Sequence, residues 1–202
     1  METDWAVKNL ETIRTLMERS ALYRRALAPI LLLAGCLGTA SAVAGTVFNV
    51  YSPWAFLSLW YSTALIVLAG AFVIARRQAL KEREPFWTPP TRRVAQALLP
   101  PLMAGMLLGP FLLLPFSVDL VVFLWIVLYG CALCAAGFFM PRGIRLFGWI
   151  FVLSPFAITA VDAAAAFHWS PNPHLVMGAF FGLGHLAYSA YLYLTEKRPT
   201  SP

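Results

Sequence analysis

The sequence predicts an all-α fold: a polytopic membrane helical bundle of about six transmembrane helices, preceded by an amphipathic amino-terminal helix. Three observations predict it. Hydrophobic residues make up 60% of the 202 residues and charged ones 12%, with a mean hydropathy of +0.72. A soluble fold this apolar would expose large greasy patches, whereas a bilayer covers them. Six windows each hold about the 20 mostly apolar residues that a helix needs to cross the hydrocarbon core. Finally, every Lys and Arg falls in alternate connections or at the two ends of the chain.

Residues 1–25 form the first element. Val7, Leu10, Ile13, Met17 and Ala21 recur at steps of three or four, with Glu11, Arg14, Thr15 and Glu18 on the other side. This pattern suits a helix lying on the inner surface of the membrane; a plain cytoplasmic extension of the first span is the competing reading. The six spans follow at 26–47, 54–75, 94–116, 118–140, 144–167 and 174–194, and 195–202 form a tail. Short links between most neighbours make them antiparallel, as in an up-down bundle.

The cations set the orientation. Lys8, Arg14, Arg19, Arg24 and Arg25 precede the first span. Arg76, Arg77, Lys81, Arg83, Arg92 and Arg93 follow the second, Arg142 and Arg145 the fourth, and Lys197 and Arg198 the sixth. The three opposite links carry none. Basic loops stay cytoplasmic during insertion, so both termini are expected in the cytoplasm. The net charge of +6 then reads as a topology signal facing anionic lipid, and no basic soluble module exists to bind nucleic acid. A cleaved signal peptide competes for the first span, with Arg24-Arg25 before the apolar run and Ala42-Val43-Ala44 as a small-residue site. It would leave five spans. The patterned segment ahead of Arg24 and the span-length apolar run favour a retained helix.

The stretch Leu10-Glu11-Thr12-Ile13-Arg14-Thr15-Leu16-Met17-Glu18-Arg19-Ser20, running into an apolar span, resembles the ETIRxLMERS-like opening of a group of uncharacterised bacterial multi-pass inner-membrane proteins. The resemblance covers about twenty residues clearly and the remainder by hydropathy alone. It implies a bacterial cytoplasmic (inner) membrane and no activity.

Few residues could carry chemistry. Asp162 lies inside the fifth span, roughly 10 Å to the outer side of its centre at 1.5 Å per residue. An acid there faces the bundle or water, as a proton or cation site or as a capped interfacial carboxylate. His185 lies near the middle of the sixth span, where it could serve a carrier or bond across helices. On ideal helices the two differ in depth by roughly 11 Å, so a direct dyad is not expected. Asp119, Asp162, His168, Asn172 and His174 gather at the outer edge as a candidate mouth, but their spacing matches no recognised zinc pattern. Cys131-Ala132-Leu133-Cys134 lacks the cation or helix start that lowers a thiol pKa and reads as small-residue packing. Ala34, Gly38 and Ala42 share a face of the first span, and Gly178 and Gly182 form a G-x-x-x-G in the sixth; such faces admit close helix approach, within the chain or between chains. Pro100, Pro101, Pro110 and Pro115 predict a kinked or interrupted third span whose freed carbonyls need partners.

The sequence therefore assigns no catalytic residue, metal or cofactor, and the chain is not expected to be an enzyme. Two readings remain. One is a non-catalytic accessory, assembly or regulatory component with the bilayer and a membrane protein or a second copy as partners. The other is a small permease or proton-coupled carrier using Asp162 and His185.

Overall fold

The computed structural model describes residues 26–81, 83, 85–113, 117–165 and 171–195. The helix expected over 1–25, the tail after Thr195 and His168 lie outside these residues. Among the described residues, every regular element is helical: α1 (Ala26–Val47), α2 (Pro53–Lys81), α3 (Pro89–Leu113), α4 (Val118–Ala136), α5 (Arg142–Ala165) and α6 (Pro173–Thr195). All six are long and apolar enough to cross a membrane. The chain is an all-α, multi-pass bundle, and its exposed apolar residues, such as Phe111, Leu146 and Val161, belong against lipid.

The helix ends differ from the apolar windows, for local reasons. The second span was expected to stop at Ala75, yet α2 continues through Arg76 and Arg77 to Lys81, because cations suit the carboxyl end of the helix dipole. Pro89 and Pro90 precede the third span expected at 94–116, and a helix interior disfavours proline. Yet they open α3: in the first turn the missing N–H has no intrahelical partner to lose, and the fixed φ is already helical. The loop shrinks to 82–88. The fourth span, expected to reach Met140, ends at Ala136. Gly137 N–H still donates to the Leu133 carbonyl (2.8 Å) before the chain turns into α5.

The turn between α1 and α2 is built on Asn49, which sits at φ 53°. Asparagine tolerates this left-handed conformation better than most residues. Asn49 N–H donates to Thr46 O (3.3 Å) and Val50 N–H to Gly45 O (2.9 Å), the paired bonds of a Schellman ending. The turn aims the Val50 carbonyl at α6, where it is used.

Two glycine seams bring backbones together. A Cβ on Gly38 of α1 would lie 2.4 Å from the Phe181 carbonyl oxygen, and one on Gly182 of α6 would lie 2.8 Å from Thr39 N. The small-residue faces of the first and sixth spans therefore pack on each other within one chain, with Gly178 against Ala42. Between α4 and α5, Gly130 meets the Gly148 carbonyl in the same way, at 2.8 Å. In lipid, which rivals leucine in apolarity, such van der Waals contact is what holds helices together. Around the seams, Phe56, Trp60, Val122, Ile126, Phe147 and Phe151 form the main apolar core.

Helix α3 runs through Pro100, Pro101 and Pro110 without a break. Pro110 has no N–H for the Met106 carbonyl four residues back. The Tyr61 hydroxyl of α2 donates to that carbonyl (2.5 Å), and Trp125 Nε1–H of α4 donates to the neighbouring Gly105 carbonyl (2.8 Å). Gly109 makes the room, since a Cβ there would lie 2.6 Å from the Tyr61 oxygen. Tyr61→Phe is expected to cost about 1–2 kcal/mol in detergent unfolding, because it orphans a carbonyl that water cannot reach. Adding Pro110→Ala, which restores the intrahelical donor, should recover most of that loss. A Tyr61→Phe protein as stable as the parent would refute the assignment.

Candidate functional site

The polar interior is concentrated on α6. Among the described residues, the buried polar side chains are Thr63, His174, His185 and Ser189, and three of these four are on that helix.

His174 sits in its first turn. Asn172 caps the turn, its Oδ1 accepting from His174 N–H (2.9 Å), and Pro173 opens the helix. The imidazole is only 1% exposed. It occupies a space that a Cβ on Gly45 would block at 2.3 Å from Nδ1, and Phe56 packs against it at 4.9 Å between ring centroids. Trp60 Nε1–H donates to Nδ1 (3.2 Å), and Nε2 lies 2.8 Å from the Val50 carbonyl. An indole can only donate and a carbonyl can only accept. The ring is therefore a neutral Nε2–H tautomer with both nitrogens engaged. His174 ties the ends of α1 and α2 to α6, and its lone pair is already taken. A small cleft of about 40 Å³, lined by Val50, Tyr51, Phe56, Val118, Pro173 and His174, opens beside it.

His185 lies beyond a segment with an unexpected form. Gly178–Gly184 is a π-helix inserted between α-helical turns. His185 Nδ1 lies 3.2 Å from the Phe180 carbonyl within that segment, so this nitrogen carries the proton. In the neutral ring Nε2 then accepts from the Tyr129 hydroxyl of α4, at 2.6 Å. Aromatic rings close the surroundings. Phe147 and Phe151 of α5 present their edges at 5.4 and 5.7 Å, and Phe181 stacks at 6.1 Å between centroids. The imidazole is 2% exposed.

Two hydroxyls complete the set. Ser189 Oγ–H donates to the Ala28 carbonyl of α1 (2.8 Å), and Thr63 of α2 bonds Ser41 of α1 (2.7 Å). All four buried polar side chains thus make a bond from one helix to another.

The carboxylates flagged in the sequence are not among these buried side chains. Asp119 is exposed in the first turn of α4, two residues after the capping Ser117, where a negative charge complements the helix dipole. Asp162 is half-buried in the last turns of α5. The two nitrogens of His185 go to Tyr129 and Phe180 rather than to Asp162. Among the described residues, no three His, Cys, Asp or Glu side chains converge in a way that could hold a metal ion. Cys131 is exposed, and the Cys134 thiol, half-buried, donates to the Arg145 carbonyl at 3.7 Å.

Sequence reasoning singled out both histidines. It missed their partners, Trp60 and Tyr129, as well as Ser189 and the π-helical segment. A donor-bearing aromatic deep inside an apolar span was the available signal, since a buried indole or phenol needs an acceptor. No family model, curated protein or solved structure matches the chain.

Proposed function

We propose that this chain is a component of a bacterial cytoplasmic membrane, with both termini in the cytoplasm, that acts through contacts of its helices. It would serve as an accessory, assembly or regulatory element, and not as an enzyme. The observation that carries this reading is the use of interior polarity: all four described buried polar side chains are committed to bonds between helices. A carrier needs a polar group in the bundle with a free lone pair or proton and a water path to it. Here one imidazole is fixed between an indole and a carbonyl, and the other is enclosed by aromatic rings. The placement of Lys and Arg supports the orientation, and the amino-terminal resemblance supports the compartment.

The test has two arms. A reporter active only outside the cytoplasm should be silent when fused after Pro202 and active when fused at residue 170. Proteoliposomes holding the purified chain should show proton flux no faster than empty vesicles. A flux that Asp162→Asn or His185→Ala abolishes would overturn the reading in favour of a proton-coupled carrier. A reporter signal after Pro202 would overturn the orientation.

A further inference from the structure

The basic end of the bundle carries a feature that orientation alone does not require. Helices α2 and α3 are the least covered in the structure: the most apolar windows of the two are 11% and 17% buried, against 28–39% for the other four. They meet where Tyr61 bonds Met106. From there toward the basic end, α2 exposes Leu65, Leu68 and Phe72, and α3 exposes Leu99 and Met103. At that end, Arg76 and Arg77 lie about 7 Å inside the end of α2, and Arg92 and Arg93 about 5 Å inside the start of α3, at 1.5 Å per residue. The two pairs therefore stand at similar distances from the two helix ends that the loop connects.

Phe86 joins them. The connecting loop folds back so that its ring meets Phe72 edge-on at 5.1 Å, one helical turn below Arg76. The Phe86 carbonyl accepts from Thr91 Oγ1 (3.2 Å), the residue before Arg92. One aromatic residue thus anchors the cationic turn of each helix. All four arginines are exposed, and among the described residues none has an ion-pair partner. Glu82 and Glu84 lie outside the described residues. The contrast is Arg145 at the α4–α5 turn, whose guanidinium lies over the Phe138 ring at 5.6 Å.

We propose that this end of the α2–α3 pair is a binding site for one anionic diacyl phospholipid. Its phosphate lies between Arg76 and Arg92, and its acyl chains run along the uncovered faces of α2 and α3. The occupant follows from charge complementarity and depth. The arginines sit at the level of headgroups, the side chains below them are apolar, and the surrounding medium is lipid. Guanidinium forks match phosphate oxygens in geometry as well as charge. The proposal requires only membrane insertion and does not depend on the accessory reading above.

Native mass spectrometry of the full chain, released from detergent after titration with phosphatidylglycerol or phosphatidylcholine, tests it. One phosphatidylglycerol should be retained, and phosphatidylcholine should not. Arg76→Gln with Arg92→Gln should weaken retention roughly ten- to thirty-fold. Arg142→Gln with Lys197→Gln, which removes the same charge elsewhere, should leave it unchanged. Phe86→Ala keeps every charge but releases the loop, and should also weaken retention several-fold. Equal retention of the two lipids, an equal loss in the Arg142/Lys197 control, or full retention in Phe86→Ala would each overturn a built site. The last two results would point instead to diffuse attraction by net charge.

Discussion

Gly38→Ala is expected to be the most damaging single-methyl substitution in the chain. Its new Cβ would fall 2.4 Å from the Phe181 carbonyl oxygen, 2.7 Å from the carbonyl carbon and 2.9 Å from Gly182 N. These are backbone atoms of α6 and cannot rotate away, so the helices must part. Parting them strains the contacts on both sides of the seam, including Gly178 on Ala42 and the Ser189 bond to Ala28. The expected loss is about 3 kcal/mol or more, at the upper end of overpacking costs, and Gly38→Leu should not yield a folded bundle. Two further glycines make the test specific. A Cβ on Gly70 would strike Leu33 Cδ2 at 2.3 Å, the far end of a side chain that can turn, and one on Gly105 would meet only side-chain atoms at 3.5 Å or beyond. Gly70→Ala should cost less than about 1 kcal/mol, and Gly105→Ala should be neutral or stabilising by up to about 1 kcal/mol through helix propensity. Thermal or SDS unfolding of the purified proteins measures all three. If Gly38→Ala were as stable as Gly105→Ala, the α1–α6 seam would be wrong.

This seam also shows how far the sequence reaches. The spacing of Ala34, Gly38 and Ala42, and of Gly178 and Gly182, marks two small-residue faces, because one side of a helix recurs every three or four residues. That they face each other is a tertiary fact no local pattern encodes. The span count was readable for a similar reason: hydrocarbon thickness sets a minimum length of apolar helix. The helix ends were not, because apolarity stops where the chain meets headgroups while hydrogen bonding continues into α2 as far as Lys81. The sequence directed attention to the prolines of α3 as the place where a helix would break. There the lost bond is repaired by Tyr61 and a neighbouring carbonyl is held by Trp125, and the departure from α geometry occurs in α6, at Gly178–Gly184. Glycines remove the side-chain penalty for a wider turn, but they allow it without demanding it; the demand comes from packing. For the same reason the candidate site was half visible. A histidine inside a span announces itself, whereas Trp60 and Tyr129 look like any other core aromatic until the fold brings their donors to the imidazoles.

Tyr129→Phe provides the second large effect, and it separates a structural imidazole from a functional one. The substitution keeps the ring that packs against Phe151 at 5.2 Å and Phe181 at 5.0 Å, and removes only the hydroxyl that bonds His185 Nε2. The imidazole then keeps a buried, unpaired lone pair with no water to satisfy it. The expected cost is about 1–3 kcal/mol, the range for orphaning a buried polar group. His185→Phe in the parent should cost a similar amount, because it strands the Tyr129 hydroxyl in the same aromatic cluster. The double variant, with both partners apolar, should be more stable than the sum of the single losses predicts, by at least about 1 kcal/mol of coupling. If the pair serves only to join α4 to α6, the double variant regains stability and whatever the chain does in the membrane returns with it. If His185 carried protons, the double variant would regain stability yet remain inactive. Simple additivity of the two single losses would mean that the 2.6 Å contact between Tyr129 and His185 contributes nothing, and the case for α6 as the element that binds the bundle together would lose its strongest bond.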